Sequence, residues 1–225
     1  MMDRMGVLIF ADGPHELGHD RGQLLLPQGS LPPLPCLVHR LLGEPKHLTY
    51  KCLPFKAVKH AHGTGKGYRK KARLALLKAA QEGCKAAVIL IDRDGPRKAW
   101  KLNHVKAGRD EVSDFPCAVR MAIETFDAWM ITDGKAVGQA GGKADQSHPS
   151  PETLDGPPES DQHPKRRAVK LFGTESLGAY YCAVAEHVRL DVLARQCPDG
   201  FAPFADEVKD RLGPLTAAPG PEGSL

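Results

Sequence analysis

Two aspartates, Asp92 and Asp94, follow the branched apolar run Val88-Ile89-Leu90-Ile91 in the middle of the chain. Such a run is typical of a strand that is buried on both faces, and Gly95-Pro96 ends it. Because residues i and i+2 of a strand lie on the same side, we expect both carboxylates at the carboxyl end of a parallel strand. A divalent metal would relieve their repulsion, so we predict Mg²⁺ or Mn²⁺ there. The alternative is that both are solvated turn residues.

A second pair of carboxylates, Asp12 and Glu16, follows the first predicted strand. Gly13 permits a tight turn and Pro14 suits the first position of a helix, so the pattern predicts a strand-to-helix turn. If the first and third strands are neighbours, Asp12 lies at the edge that carries the two aspartates, and Glu16 faces the same crevice. The alternatives are an N-cap for Asp12 and a favourable helix-dipole position for Glu16.

Positive charge is concentrated around these carboxylates. Residues 46–109 hold 17 Lys and Arg against three acids, although the whole chain carries a net charge of only +4. A basic region beside an acidic metal site suits a polyanionic substrate such as a nucleic acid, with DNA favoured over RNA. The alternative is a solvated basic surface. The residues that we predict to contact nucleic acid in this region are Lys66, Arg69, Lys70, Lys71, Arg73, Arg97 and Lys98.

Alternating strands and helices must position these side chains. The patterns predict strands over 6–11, 47–53, 86–92 and 117–123, and helices over 14–26, 34–43, 68–82 and 125–132. This alternation favours an α/β fold with a mostly parallel, Rossmann-like sheet and flanking helices. We therefore predict an α/β core over residues 1–133.

The second half of the chain has a different composition. Residues 134–164 contain five Gly and five Pro with few large apolar residues, which predicts a long mobile loop. Helical patterns return over 165–171, 176–195 and 204–212, and they predict a C-terminal helical extension over 165–213 that packs on the core. The Pro- and Gly-rich tail, 214–225, is expected to be disordered.

The cysteines and the hydropathy of the chain indicate the compartment in which we expect the protein. The six cysteines are scattered without a C-x-x-C pair, which argues against a disulfide framework and fits a reducing cytoplasm. The first apolar run, residues 6–10, is too short for a secretory signal, and no apolar run is long enough to span a membrane. We therefore predict a cytoplasmic protein without a membrane partner.

A competing motif, His15-Glu16-Leu17-Gly18-His19, matches H-E-x-x-H. On a helix, two histidines at i and i+4 bind Zn²⁺ while the glutamate acts as a general base. Gly18 weakens such a helix, the motif follows only one strand, and no third ligand is evident. A zinc hydrolase with Zn²⁺ at His15 and His19 is kept as an alternative.

Together, these elements resemble the Toprim fold of topoisomerases, bacterial primases and overcoming-lysogenization-defect nucleases. That fold has a strand ending in Glu-Gly, a helix, and a later strand ending in Asp-x-Asp. The whole chain is most similar to a Toprim-related family of bacterial proteins, the domain-of-unknown-function 4276 family. The segments that carry the resemblance are 12–16, 90–94, 122–129, 164–165 and 197–204. The chain departs from the Toprim pattern at Asp12, which stands where the pattern has Glu.

The resemblance implies metal-assisted phosphodiester cleavage in DNA processing or phage defence, with an ATPase as a partner. It implies that Asp92 and Asp94 hold the metal and that Glu124 is the next ligand. Either Asp12 or Glu16 would be a further ligand or the general acid or base. After the predicted loop, Lys165 and Arg166 would contact phosphate. Asp12 is one methylene shorter than the Glu of the Toprim pattern, so its carboxylate would not reach as far into the site. The alternative is therefore a non-catalytic subunit that binds nucleic acid or a partner. The oligomeric state stays open.

Overall fold

The computed structural model describes residues 4–20, 23–24, 30–58, 67–154, 156–157 and 159–217. Its strands are β1 (Met5–Ala11), β2 (His19–Asp20), β3 (Gln23–Leu24), β4 (Leu48–Pro54), β5 (Ala86–Asp92) and β6 (Cys117–Ala122). Its α-helices are α1 (Pro33–Leu41), α2 (Tyr68–Gln81), α3 (Trp100–Asp110), α4 (Asp127–Met130), α5 (Gly134–Gln139), α6 (Pro164–Phe172), α7 (Gly178–His187), α8 (Leu190–Gln196) and α9 (Phe201–Leu212).

A parallel four-stranded sheet with the order β4-β1-β5-β6 forms the centre of the fold. Alternate residues of each inner strand enter separate cores on the two faces: Val7 and Ile9 pack on one side, and Leu8 and Phe10 on the other. All four are fully buried, as expected for a strand covered on both faces. The predicted α/β fold with a parallel sheet and flanking helices is therefore confirmed.

Helices α2 and α3 cover one face of the sheet, and their close packing depends on a glycine. A Cβ atom at Gly108 of α3 would lie 1.9 Å from the backbone oxygen of Arg69 in α2. Only glycine therefore permits this approach. The sequence patterns did not predict α3, because glycine in a helix interior lowers intrinsic helix propensity.

The predicted helix over 14–26 was wrong. Residues His15–Leu17 form a single 3-10 turn, which ends at Gly18 with φ of +72°. A short antiparallel pair of β2 and β3 follows, while residues 21–22 and 25–26 lie outside the described ranges. Gly18 in the left-handed conformation ends the turn because it carries no side chain to oppose a positive φ.

The predicted long loop over 134–164 was also wrong in part, because short helical elements occupy several of its stretches. The segment contains α5 and two 3-10 turns, Ala144–Gln146 and Pro151–Thr153. Its glycines serve close packing: a Cβ atom at Gly142 would lie 2.7 Å from the ring of Phe172. A Gly-rich composition here reflects contact with α6 rather than an absence of structure.

Helices α6 to α9 occupy the predicted C-terminal extension. They complete the core on the other face, where α7 packs against α1 and α9 packs against β6. The helix predicted over 176–195 is divided into α7 and α8 at Val188–Arg189. The tail predicted to be disordered, 214–225, begins within a 3-10 turn over Gly213–Thr216, and residues 218–225 lie outside the described residues. Within those residues, no helix has the length and apolar character needed to cross a membrane.

Asp133 connects the two halves of this helical layer. Its buried carboxylate accepts the backbone N–H of Lys135 at 3.1 Å, which caps α5. It also accepts three hydrogen bonds from Arg189, from the backbone N–H at 3.0 Å and from Nε and Nη2 at 2.9 Å each. Burial alone would raise the pKa of Asp133, but the bonds from Arg189 and Lys135 outweigh it and lower that pKa.

We expect Asp133→Ala to lower the free energy of unfolding by about 2 kcal/mol, because a helix cap and a buried acceptor are lost together. Urea unfolding at neutral pH measures the change, with the exposed Asp191→Ala of α8 as the matched control. Since the pKa of Asp133 is depressed in the folded chain, its contribution is present at neutral pH and is lost as the pH falls through that pKa. Equal stability of the two variants would contradict this role.

Candidate metal and phosphate site

The candidate site lies between the carboxyl ends of β1 and β5. The chain passes from β1 toward β4 on one side and from β5 toward β6 on the other, so the connections diverge between these two strands. Parallel sheets bind ligands at such a point because the divergence leaves a crevice. A cavity of about 230 Å³ occupies this crevice, and its polar lining includes Glu16, Asp92, Asp94, Thr125, Asp127, His163, Lys165 and Tyr181.

Glu16 is held against the backbone of the turn after β1. A Cβ atom at Gly13 would lie 2.3 Å from Glu16 Oε2, so the carboxylate occupies the space that any side chain at Gly13 would need. The Glu16 residue is only 5% exposed. Burial raises the pKa of Glu16 to about 8, and the charges of Asp127 and Asp12 add to this effect. The prediction that Glu16 faces the crevice is confirmed.

Asp92 lies at the centre of the carboxylate group. Its Oδ1 accepts the backbone N–H of Phe126 at 2.9 Å, and its own backbone N–H donates to Asp12 Oδ2 at 3.2 Å. Burial raises the pKa of Asp92 well above its ordinary value, and the charges of Glu16 and Asp127 raise it further. The contact with Asp12 confirms that β1 and β5 bring these aspartates to one edge of the sheet.

Asp12 is thereby placed differently from Glu16. Burial raises its pKa as well, although the hydrogen bond from the Asp92 backbone and the charge of Lys101 oppose the increase. The Asp12 carboxylate bonds to the end of β5, whereas Glu16 lines the cavity. Of the two residues predicted to be catalytic, Glu16 is the one in contact with the cavity.

Two residues of the site, Asp127 and Tyr181, were missed by the sequence reasoning. Tyr181 is fully buried in α7, and its hydroxyl donates to Asp127 Oδ1 at 2.5 Å. Both line the cavity with Glu16 and Asp92. A local signal existed for Asp127, because an acid at the first position of a helix after a strand end is a candidate ligand. No signal in the sequence joins Tyr181 to it, since the residues lie 54 positions apart.

Asp94 and Glu124, both predicted metal ligands, are paired with basic side chains. Lys101 Nζ donates to Asp94 Oδ2 at 2.5 Å and to the backbone oxygen of Asp92 at 3.0 Å. Arg93 donates to Glu124 Oε1 from Nε at 3.0 Å and from Nη2. Asp94 nevertheless lines the cavity, as predicted, whereas Glu124 is not among the lining residues. Glu124 is thus the partner of Arg93 in this structure, and its role as a metal ligand stays a prediction.

The backbone that carries these two acids is strained. Asp94 and Glu124 have φ angles of +51° and +58°, in the left-handed region that residues other than glycine rarely adopt. The Asp94 N–H donates to the Glu124 backbone oxygen at 3.0 Å, so the two conformations are joined. A positive φ at a residue other than glycine lowers the stability of the folded chain. It persists only where the surrounding structure fixes the backbone, which is often at a functional site.

Two imidazoles, those of His15 and His163, and the ammonium group of Lys165 line the cavity. His163 caps α6, where its Nδ1 accepts the backbone N–H of Lys165 at 3.3 Å. The proton of the neutral ring is therefore on Nε2. Lys165 is exposed and lines the cavity, while its contact with phosphate stays a prediction. Arg166, the other cation predicted here, instead pairs with Glu175 at 3.0 Å.

The basic residues predicted to contact nucleic acid divide into two groups. Arg69 and Arg73 both pair with Glu111, at 2.5 Å and 3.5 Å, so their charge is partly neutralised. Arg97 and Lys98 are exposed in the 3-10 turn after β5, and Lys71 Nζ lies 5.0 Å from the centre of the Phe55 ring. Lys70 is partly exposed on α2, and Lys66 lies outside the described residues.

The H-E-x-x-H motif does not have the backbone that a zinc helix requires. His15 belongs to the 3-10 turn and His19 to β2, with left-handed Gly18 between them. The i and i+4 relation of an α-helix is therefore absent, and the zinc interpretation is wrong in its geometry. Instead, the His15 ring packs edge-on against Tyr181, with ring centres 5.9 Å apart.

The donor set fits a hard divalent cation in its chemistry. Glu16, Asp92 and Asp127 supply carboxylate oxygens to one small cavity, and oxygen ligands are those that Mg²⁺ and Mn²⁺ prefer. Burial and mutual repulsion raise the pKa values of Glu16 and Asp92, and a bound cation would favour their ionised forms. Within the described ranges, however, no group of three or more His, Cys, Asp or Glu side chains is placed so that it could hold a metal ion as it stands. Metal binding would thus have to draw the carboxylates together.

Comparisons of the chain with protein-family models, with curated proteins and with solved structures found no match. The resemblance to the Toprim-related family consequently stays a prediction, whereas the parallel α/β fold and the carboxylate crevice follow from the structure.

Proposed function

We propose that this protein is a divalent-metal-dependent phosphodiesterase that acts on nucleic acid. The observation that carries the proposal is the convergence of Glu16, Asp92 and Asp127 in the crevice between β1 and β5. Buried carboxylates with little compensating charge lower the stability of the folded chain. Such clusters are found at sites that bind a cation or transfer a proton. The excess of positive charge over residues 46–109 supports a polyanionic substrate.

In this proposal, each side chain of the crevice has a separate role in the reaction. Asp92, Glu16 and Asp127 would hold Mg²⁺ or Mn²⁺, which supplies Lewis-acid stabilisation of the phosphoryl oxygens when bound. Tyr181 orients Asp127 through its hydroxyl hydrogen bond. Lys165 at the rim provides positive charge for a phosphate.

Proton transfer falls to His163 in this proposal. Its Nδ1 is engaged by the backbone of Lys165, so the Nε2 proton is the one available to a leaving oxygen at the cavity. Asp12 supports the site indirectly, because its carboxylate fixes the backbone N–H of Asp92. The Asp in place of Glu at position 12 therefore does not remove the acid that faces the cavity.

A binding subunit without catalytic activity is the second candidate. The pairing of Asp94 with Lys101 and of Glu124 with Arg93 favours it, because two predicted ligands are neutralised without a metal. In that case the basic surface binds nucleic acid and the carboxylates are dispensable. An ATPase partner, which the family resemblance implies, is a further proposal for either role, as is the reducing cytoplasm that six free thiols suit.

Nicking of supercoiled plasmid by the purified protein tests the enzyme proposal. We expect nicking with Mn²⁺ or Mg²⁺, none with a chelator, and a loss of about 100-fold in Asp92→Asn, because several kcal/mol of charge stabilisation disappear. The substituted amide retains the acceptor for the Phe126 N–H, so the fold should persist. Asp114→Asn, on an exposed residue, is the matched control. Equal nicking by Asp92→Asn and its parent would overturn the proposal, and binding without nicking by either would support the second candidate.

A further inference from the structure

Trp100, the first residue of α3, is an exposed aromatic side chain beside the crevice. Half of its surface is open to solvent, and Leu77 is the other large apolar residue that is exposed within the described part of the chain. Leaving a large apolar surface in water forgoes the stabilisation that burial would provide. A single exposed apolar residue needs no explanation by itself, but the surroundings of Trp100 are specific.

Trp100 continues a row of aromatic rings. We define the aromatic row as Phe55, Tyr68, Trp100 and His104. Phe55 and Tyr68 are stacked with centres 6.3 Å apart, Tyr68 meets Trp100 edge-on at 5.8 Å, and Trp100 meets His104 edge-on at 5.3 Å. Because Phe55 is fully buried, the row is anchored in the core at one end. The Trp100 ring is therefore held in place by its neighbours while part of its surface stays accessible.

Cations border the aromatic row. Lys71 Nζ lies 5.0 Å from the Phe55 ring centre, and Lys101 Nζ lies 5.6 Å from that of Tyr68. Arg97 and Lys98 lie three and two positions before Trp100 in the chain and are exposed. The nearby acid, Asp94, is already paired with Lys101. Aromatic rings interleaved with positive charge are the combination that binds single-stranded nucleic acid.

The row is also joined to the candidate site. Lys101, the residue after Trp100, donates to Asp94 Oδ2 and to the backbone oxygen of Asp92. Both of those aspartates line the cavity. The same segment between β5 and α3 thus carries the cavity aspartates, the exposed cations Arg97 and Lys98, and the exposed Trp100.

We propose that Trp100 stacks an unpaired base of a single-stranded nucleic acid next to the carboxylate crevice. The inference rests on the proposed function in one respect: if the protein is a phosphodiesterase, stacking on Trp100 makes single-stranded nucleic acid its substrate class. Stacking requires a base whose face is free, so duplex nucleic acid cannot use the Trp100 surface without opening a base pair. The contact tolerates any base because every base has a π face.

Fluorescence provides a direct test, since the chain has two tryptophans and the other, Trp129, is fully buried. The measurement uses Asp92→Asn protein with a chelator and an oligothymidylate of about 12 nucleotides, so that binding is observed without cleavage. We expect the oligonucleotide to quench Trp100 emission and to protect it from acrylamide, while the buried tryptophan is unaffected. Because no catalysis is needed, a failure to nick plasmid and a failure of stacking remain separate results.

Affinity measured by anisotropy of a labelled oligonucleotide gives the variant test. We expect Trp100→Ala to weaken binding about tenfold, and Trp100→Phe to retain most of the affinity, because stacking contributes about 1–3 kcal/mol per base. Leu77→Ala, the exposed apolar residue elsewhere on α2, is the matched control and should bind as the parent does. A blunt duplex of the same length should bind more weakly than the single strand.

Three outcomes would overturn the inference. One is equal affinity of Trp100→Ala and its parent for the single strand. Another is equal binding of duplex and single strand, which would indicate phosphate contacts alone. The third is quenching of Trp100 by vesicles that contain phosphatidylserine but not by the oligonucleotide, which would assign the aromatic row to a membrane surface.

Discussion

In the presence of a chelator, the Glu16→Gln variant is expected to unfold at a higher urea concentration than the parent chain at about pH 9, and at a similar concentration at about pH 5. Burial and the charges of Asp127 and Asp12 raise the pKa of Glu16 from 4.5 to about 8. The carboxyl is therefore neutral in the folded chain over a range in which it is ionised in the unfolded chain.

The sign of the effect follows from proton binding. A carboxyl with a raised pKa in the folded state holds its proton more tightly there, so its contribution is fully present below pH 4.5 and is lost as the pH rises through about 8. Each pKa unit between the folded and unfolded chains corresponds to about 1.4 kcal/mol, so the parent should lose several kcal/mol over this window. Gln has no proton to lose, and its uncharged amide also relieves the repulsion on Asp92.

Urea titrations of both proteins across this pH window measure the effect. Glu186→Gln, on the exposed surface of α7, is the matched control and should follow the parent at every pH. Parallel stability curves for the parent and Glu16→Gln would show that Glu16 is not a buried, repelled carboxyl. Addition of Mn²⁺ should raise the stability of the parent more than that of Glu16→Gln, because a ligand that binds the folded state stabilises it.

Replacement of Glu207 by Ala is expected to cause the largest loss of stability outside the site, about 3 kcal/mol. Glu207 is buried in α9, where its Oε1 accepts Arg109 Nη1 at 2.5 Å and the backbone N–H of Val119 at 3.3 Å. Its Oε2 lies 2.7 Å from Arg120 Nη1. One carboxylate thus joins α9 to α3 and β6, and its removal leaves two largely buried guanidinium groups without this partner.

Urea unfolding at neutral pH compares Glu207→Ala with two other variants. Asp206→Ala changes the adjacent, exposed position of α9 and should stay within about 0.5 kcal/mol of the parent. Glu207→Gln keeps an acceptor of the same shape and should fall between them, since the charge is lost while a hydrogen bond remains. A loss below about 1 kcal/mol in Glu207→Ala would mean that the ion pairs contribute no more than exposed ones do.

The sequence by itself determined the sheet and the position of its acidic edge. The run over 86–92 has no polar residue before Asp92, and a short apolar run with branched residues is typical of a strand covered on both faces. Asp12 follows another apolar run in the same way, and parallel strands bring their carboxyl ends to one edge. The local pattern was sufficient to predict these strands because a short apolar run that ends in an acidic residue fits few other buried elements.

Only the tertiary structure decided which acids share the cavity. Asp127 and Tyr181 are joined across 54 positions, and Lys101 and Arg93 neutralise Asp94 and Glu124. The partner of a carboxylate depends on helix packing, and neither spacing nor composition encodes that packing locally. The same holds for α3, where Gly108 disfavours a helix in isolation but permits contact with the backbone of α2. The exposed face of Trp100 is likewise a result of this packing, because Tyr68 at the start of α2 holds its ring together with His104 in the next turn of α3.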